Sequence, residues 1–546
     1  HLPAFATRLP ATGDMSTSAV KVAPAPPDHA SRAGRGGLWH PAGDRAVIAG
    51  PTALAAVLCL VGLTTRSLSF DEAATVTIAA QHGSALGAAI GHDGGNMSGF
   101  YVLLHVLMNW FGDGELVLRL PSALASIATV ALIGMIGLRL FGRRAALAAG
   151  LLAAVSLPLV FWAQNARGYA VMVALVTAAY LVFVSLDRDP RLRGWVAYVV
   201  LMSLATYASF VAVLVIPAQL LALLSSRRRR RLAPFALAVM AIAVLCLPLI
   251  VLASQRGSGQ LFWLPRPKHE IEVQVLQSLT SAGLGPSFHT TATTTLLLVT
   301  TLAGLIAVTV AYRPRRGGGR DGGAVGLVLA WVLVPPLLTF AYSLLFQPLF
   351  LPRNLLVSVP AVALMLGAGL GHPRLPGRVA LGVLLVLIGL RALALAPTYG
   401  VSPEPWRQAS SFVLARAQAG DCLAFYPADG RMAFEYFYGR RPSPHQPLPP
   451  SILPTVPWGV VRPYVEDYAT LSPAQLGVRR TRCRRLWLVS SHEGQPDGPP
   501  RARANRTRFI ALQSRLVSVF GPGQTARLGY ASAIHVQLLA RGARRG

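Results

Sequence analysis

Between residues 46 and 396 the chain alternates long apolar runs with short polar breaks, and most runs approach the about 20 residues that a helix needs to cross a bilayer. The runs lie at 46–64, 117–138, 145–161, 168–186, 194–206, 207–224, 233–252, 292–312, 324–346, 354–371 and 378–396, a pattern that predicts about eleven transmembrane helices. The pair 194–206 and 207–224 meets at Thr206-Tyr207-Ala208-Ser209, where one long helix or a re-entrant turn is the alternative. Arg139/Arg143/Arg144, Arg188/Arg191/Arg193, Arg227 to Arg231, Arg313/Arg315/Arg316/Arg320 and Arg374/Arg378 occupy every second loop. Positive charge marks the cytoplasmic side, so the N-terminus is expected inside and everything after 397 outside. A single span over 194–224 would break that alternation, which favours two.

The first outer loop, 65–116, carries apolar stripes through 73–90 and 100–111 that suit helices lying along the membrane interface. Past 397 the pattern becomes short apolar strands, Cys422 to Tyr426 and Leu486 to Ser490, alternating with helical stretches at 405–419 and 506–519. That alternation predicts a small α/β domain, with proline-rich 441–457 as an extended loop. Three parts result: a disordered cytoplasmic tail at 1–45, whose residues ahead of Met15 read as an upstream extension, a transmembrane domain at 46–396, and an extracytoplasmic α/β domain at 397–546.

Composition agrees with the bilayer reading: 53% of residues are hydrophobic and 13% charged, against about 25% charged in a soluble domain. The net charge of +29 would suggest a nucleic-acid partner in a soluble chain, but here the arginines sit in short runs between apolar segments, so the basicity orients the chain in the membrane. Lysine occurs only at Lys21 and Lys268 while arginine, alanine, glycine and proline abound, as in proteins of GC-rich genomes; a high-GC bacterium and its plasma membrane are the expected setting. Cys59 and Cys246 fall in apolar runs and read as packing residues. Cys422 and Cys483 both fall in the outer domain, where they can be joined if that compartment is oxidising.

Acidic residues are scarce, which makes Asp71-Glu72, just beyond the first apolar run, the sharpest feature. Sugar transfer to a hydroxyl needs a base beside the attacking oxygen, and a carboxylate at the membrane surface suits a donor whose lipid tail stays in the bilayer. Ser69-Phe70-Asp71-Glu72 also fits the S-x-x-E capping box, which would occupy Glu72 with a helix start. Asp71 would then sit at the positive end of a helix and point elsewhere. The sequence contains no P-loop, no dinucleotide glycine fingerprint and no zinc-ligand spacing.

The segment "SFDEAA" from Ser69 to Ala74, His92-Asp93, Tyr101-Val102-Leu103-Leu104-His105 and Arg119-Leu120-Pro121-Ser122-Ala123-Leu124 together resemble the first outer loop and second helix of bacterial family 39 glycosyltransferases. These are relatives of protein O-mannosyltransferases and aminoarabinose transferases with the class C membrane fold. Gln164-Asn165-Ala166-Arg167-Gly168-Tyr169-Ala170 is similar to the family's Q-E-A-R-x-Y-A, and Pro352-Arg353-Asn354-Leu355-Leu356 to P-R-Y-L-L. Trp406-Arg407 followed by Gly420-Asp421 resembles the W-R and G-D pair that opens the outer domain in many actinobacterial members. The chain departs from the pattern at Asn165, at Asn354 and at Gly94 to Ser98, where the family commonly has prolines.

The resemblance implies a catalytic base at Asp71, with Glu72 orienting the acceptor or the loop. It implies substrate contacts from His92, Asp93, Tyr101, Arg119, Gln164, Arg167, Tyr169 and Arg353, and weaker candidates in Lys268 and His269 on the 253–291 loop, which also holds Trp263, Arg266, Glu270 and Glu272. For His92 and Asp93 an Asp-Gly turn beside a surface histidine is the plain alternative. Arginines in arginine-poor outer loops can grip a lipid phosphate by paired hydrogen bonds or can snorkel to headgroups. The implied reaction is inverting transfer of mannose or a related sugar from a polyprenyl-phosphate donor to a hydroxyl on a glycan, lipid or protein, with a divalent metal ion in some class C enzymes. A transporter or flippase, and an inactive scaffold, are the competing classes; the acidic residues fall in loops and not at mid-membrane, unlike those of most transporters.

Overall fold

The computed structural model describes residues 41–186, 191–225, 229–256, 264, 266–283, 292–312, 320–440, 447–454, 470–472, 474–476, 483–529 and 533–540. Two compact units divide the chain, 1–42 and 43–546, and the second holds the helical bundle and the sheet. Most of the predicted tail, and Trp263, lie outside the described residues.

All of the predicted apolar runs form helix. The order is α1 (Pro41–Leu60), α2 (Phe70–Ala79), α3 (Gly83–His92), α4 (Ser98–Phe111), α5 (Glu115–Leu140), α6 (Arg143–Ala154), α7 (Leu157–Ala163), α8 (Tyr169–Ser185), α9 (Leu192–Ala208), α10 (Ile216–Ser225), α11 (Leu232–Leu245), α12 (Leu247–Arg256), α13 (His269–Leu279), α14 (Ala292–Ala311), α15 (Arg320–Leu345), α16 (Val359–Leu370) and α17 (Gly377–Leu395). Among the described residues, 6 helices are long and apolar enough to cross a membrane, or up to 8 if two bent pairs each count as one span. Length and apolarity alone thus support six to eight spans and do not confirm the expected eleven. The pairs α6/α7 and α11/α12 each bend by 55°, at Pro158 and Pro248, whose rings clash with the carbonyl four residues earlier and lack an N–H. The remaining runs, α8, α9 and Phe210–Ser225, are shorter apolar helices.

The doubtful 194–224 stretch is two helices. Ser209 is extended (φ −168°, ψ 136°) and a 3-10 turn, Phe210–Val215, follows it. The Tyr198 hydroxyl donates to Gln219 Oε1 across 21 residues, a separation that a straight helix would stretch to about 30 Å. The chain therefore doubles back.

In the 65–116 segment only α4 presents the expected apolar outer face, with Val102, Leu103, Trp110 and Phe111 exposed. Helix α2 departs from the interfacial reading: Ala73, Ala74, Val76 and Ile78 are buried in the main core.

Beyond α17 come α18 (Trp406–Leu414), β1 (Asp421–Tyr426), α19 (Gly430–Tyr438), β2 (Ser451–Leu453), β3 (Arg485–Ser490), α20 (Pro500–Phe520), β4 (Gly523–Leu528) and β5 (Ile534–Ala540). The sheet order is β2-β1-β3-β5-β4, with β1 parallel to both neighbours and β5 antiparallel to β3 and β4. Strand β1 is buried on both faces, which is why it reads as an uninterrupted apolar run. Leu423 and Phe425 join the core that α18 and α19 share with the membrane helices, while Cys422, Ala424 and Tyr426 pack with Phe509, Leu512 and Leu516 of α20. Cys422 and Cys483 are joined by a disulfide, Cα–Cα 5.6 Å, and Cys59 and Cys246 are buried free thiols. Of the proline-rich 441–457 stretch, only 447–454 is described, and it holds the edge strand β2.

Candidate functional site

The two adjacent carboxylates separate because neighbouring helical residues face different ways. Ser69 caps α2 with a complete capping box: its side chain accepts from Glu72 N at 3.3 Å, and Glu72 Oε2 accepts from Ser69 N at 2.9 Å. Glu72 Oε1 also accepts from Arg119 Nε at 2.8 Å and Ala166 N at 2.8 Å, and Oε2 from Arg119 Nη2 at 3.1 Å. Arg119 directs its other hydrogens to the carbonyls of Leu63, Arg66 and Ser67. The pair thus ties the end of the first helix, the start of α2, the α7–α8 turn and α5 into one knot. Burial works against the Glu72 charge, but Arg119 and the backbone donors outweigh it and hold its pKa below the ordinary value.

Asp71 turns the other way and its side chain is 44% exposed. Arg353, on the 3-10 turn Pro352–Ser358, donates to its Oδ2 at 3.2 Å. Arg167 donates to the Asp71 carbonyl at 3.4 Å and to Thr75 Oγ1 at 3.1 Å. Burial raises the Asp71 pKa, but the fields of Arg167, Arg353 and His492 more than offset it and leave the carboxyl below its usual range.

Around Arg167 the chain also gathers Tyr101, Tyr169 and Asp93, whose fields reach its guanidinium. The Tyr101 hydroxyl donates to Asp93 Oδ2 at 2.7 Å, and Tyr169 packs edge-on to Trp162 at 4.7 Å. Arg167 follows the bend at Pro158, and α8 restarts immediately after Gly168. A Cβ on Gly168 would lie 2.3 Å from the Ala208 carbonyl oxygen, so only glycine lets the turn approach α9.

Of the other sequence candidates, only Gln164 shares a cavity wall with Asp71. Gln164 Nε2 donates to Val61 O at 2.7 Å and to Cys59 O at 3.3 Å, closing the end of the first helix. Lys268 and His269 are exposed at the start of α13, whose Ile271 and Val275 pack on Phe350 and Leu355 beside the Arg353 turn. His92 is half-buried with Nε2 unpartnered, and desolvation together with nearby Arg256 lowers its pKa. Gly94 and Gly95, at φ 70° and 79°, lie against Arg256 and Leu252 of α12, which is why this turn has glycines where prolines would not fit. Asn354 donates to Leu349 O at 2.8 Å, in the segment just ahead of its turn, and Asn165 Oδ1 is buried without a partner.

A cavity of about 140 Å³ opens beside Asp71 and is lined also by Arg66, Trp162, Asn165 and Glu404. Glu404 is the residue that sequence reading missed, along with His492, whose Nε2 lies 3.5 Å from Glu404 Oε1. The available signal was the rarity of acids in the chain, which makes a carboxylate two residues before Trp406-Arg407 unusual. Among the described residues no group of three or more His, Cys, Asp or Glu side chains is arranged to hold a metal ion. The donor set at Asp71 does not fit a resident metal, since the groups nearest the carboxylate are cationic.

Residues 99–252 match the family model described as dolichyl-phosphate-mannose-protein mannosyltransferase. Among curated proteins no sequence matches. Among solved structures the chain is similar to ArnT from Cupriavidus metallidurans bound to undecaprenyl phosphate, at 14% identity and TM-score 0.52, covering 91% of this chain and 100% of that one. The apo form of the same protein gives TM-score 0.51 at 14% identity, covering 91% of this chain and 99% of that one. The archaeal oligosaccharyltransferase AglB from Archaeoglobus fulgidus, in complex with an inhibitory peptide and a dolichol-phosphate, gives 0.52 at 12% identity, covering 90% of this chain and 74% of that one. The likeness to family 39 glycosyltransferases read from the sequence is thus matched by a family-model segment in the membrane domain and by a multi-pass class C glycosyltransferase fold over most of the chain.

Proposed function

We propose that this protein is a membrane glycosyltransferase that moves a sugar, mannose or a relative, from a polyprenyl-phosphate donor to an acceptor hydroxyl on the outer face of the membrane, with inversion and with Asp71 as general base. The observation that carries the reading is the placement of Asp71: an ionised carboxylate at a cavity mouth, hydrogen-bonded to Arg353 and within the field of Arg167.

The acceptor oxygen attacks the anomeric carbon, its proton passes to an Asp71 oxygen, and the bond from that carbon to the phosphate oxygen breaks with its electron pair leaving on the lipid phosphate. Negative charge therefore moves from Asp71 to the phosphate within the field of the same two guanidiniums. Arg353 and Arg167 lose one anionic partner as the other appears, so the site stabilises the charge where it develops without rearranging. Hydrogen bonds to the Asp71 carbonyl and Thr75 hold Arg167 beside the base, and the Glu72–Arg119 knot holds the base in place. The relatives bound to undecaprenyl phosphate and dolichol-phosphate support a lipid-linked donor. The arginine-rich alternate loops and the Cys422–Cys483 disulfide support a cytoplasmic N-terminus and an outer α/β domain.

The test is Asp71→Asn in membranes supplied with radiolabelled polyprenyl-phosphate mannose, glucose or arabinose. Transfer should fall by about 10²- to 10⁴-fold. Undiminished transfer removes Asp71 from the mechanism, and a wild type silent with every donor favours a transporter or scaffold.

A further inference from the structure

The cavity beside Asp71 is not closed by the membrane domain alone. Pro403 and Glu404, which lead into the outer domain, form part of its wall. Glu404 is buried, and its Oε2 accepts from Phe70 N, the amide next to Asp71, at 2.5 Å and from Trp406 Nε1 at 3.2 Å. Its other oxygen faces His492 Nε2 at 3.5 Å. The His492 ring packs on Phe70 with centroids 5.0 Å apart, and its side chain is 39% exposed. A carboxylate anchored at one oxygen and turned toward an accessible imidazole orients that ring.

Two further observations say that His492 is held there for a purpose. Its φ is 49°, a left-handed backbone that a histidine adopts only at a cost, and such outliers concentrate at ligand sites. It also lies directly after β3, at the carboxyl end of the parallel strands. There β1 has β2 on one side and β3 on the other, and Ser491 N donates to Tyr426 O at 2.9 Å to link the two strand ends. In open α/β sheets such a reversal of strand order opens the crevice where ligands bind. Here that end of the sheet brings His492 close enough to Asp71 for its field to reach the carboxylate.

We infer that the outer domain completes the active site, with His492, oriented by Glu404, binding the acceptor hydroxyl beside Asp71. This rests on the glycosyltransferase reading and extends it: the membrane domain grips the donor lipid phosphate, and the outer domain presents the acceptor. With Nε2 turned to Glu404, it is Nδ1, 3.2 Å from the Ser491 hydroxyl, that exchanges Ser491 for the attacking hydroxyl, or for its neighbour on a sugar, and fixes that oxygen between Asp71 and the anomeric carbon. Such positioning acts on turnover and leaves donor binding alone.

The experiment compares wild type, His492→Gly, Glu404→Gln and Arg353→Gln in membranes, using whichever of decaprenyl-phosphate mannose, glucose or arabinose the wild type transfers to endogenous acceptors. Glycine adopts the left-handed backbone freely, so His492→Gly should melt at or above the wild-type temperature. Its kcat should fall about 10-fold or more at unchanged donor KM, and added imidazole should restore part of the rate. Glu404→Gln should show the same split, whereas Arg353→Gln should raise donor KM. Wild-type kcat in His492→Gly, or a loss that imidazole does not restore, overturns the inference while Asp71→Asn still reports on the underlying reaction. A wild type inactive with all three donors overturns both.

Discussion

Glu72 and Arg119 face each other through two hydrogen bonds, 2.8 and 3.1 Å, with side chains 2% and 1% exposed. Removing one partner of such a buried pair strands the other charge and typically costs about 3–5 kcal/mol. Glu72→Gln should therefore lower the thermal stability of the detergent-purified protein by that order, whereas Asp71→Asn, at a partly open site, should leave the melting temperature nearly unchanged. Equal melting shifts for the two variants would remove the division of labour between these adjacent acids.

The same pair has a pH signature. The Glu72 pKa is lowered in the folded protein, by Arg119 and the backbone donors acting against burial. Its stabilisation is thus complete above the unfolded glutamate pKa of about 4.3 and is lost as pH falls through the lower folded value. Acid melts of wild type and Glu72→Gln should converge as pH drops below that unfolded value. Melting temperatures that remain equally separated at low pH would contradict the assignment.

Arg353 is, after Arg167, one of three positive groups that keep Asp71 ionised. Burial raises that pKa while Arg167, Arg353 and His492 bring it down, so the carboxylate is the working form and the rate falls only on the acid side. Arg353→Gln removes one positive field, and the Asp71 pKa must rise. The acid limb of the pH–rate profile should accordingly shift to higher pH. A limb that stays in place would mean that the 3.2 Å contact does not set the charge of the base.

How much of this site is legible in the sequence depends on how local each relationship is. The capping box at Ser69 and Glu72 spans three positions and is readable; the partner Arg119 is 47 positions away, and the sequence suggests for it only a substrate contact. Glu404 meets the Phe70 amide across 334 positions, a relationship with no local pattern. The C-terminal α/β domain is legible from β1 and β3 because both faces of those strands are apolar. Strand β4, Gly523–Leu528, is largely exposed and polar, and β2 is 3 residues long, so neither announces itself. Apolar length locates the membrane helices but not the 55° bends that divide two of them.

The disulfide ties the start of β1 to the segment leading into β3, with 61 positions between the cysteines. Closing a loop of that size in the unfolded chain contributes about 2–5 kcal/mol. The Cys422→Ala, Cys483→Ala double variant should therefore lose protease resistance in the 397–546 region first. Uniform proteolysis across both domains would show that the bond does not stabilise the C-terminal domain separately.

Gly168 offers the most direct test of the donor side. It needs no unusual backbone, at φ −65°, so the constraint is purely one of space: a methyl group there would sit 2.3 Å from the Ala208 carbonyl oxygen and 3.3 Å from the Phe100 Cβ. Neither neighbour can yield easily, because one is backbone and Phe100 is buried. Gly168→Ala should push the α7–α8 turn, and Arg167 with it, away from α9, at a stability cost of about 1–3 kcal/mol. A displacement of about 1 Å is enough to lower turnover about 10²-fold. On the proposed mechanism Arg167 serves both the lipid phosphate and the base, so donor KM should rise and turnover fall together. Full activity in Gly168→Ala would mean that Arg167 lies outside the reaction.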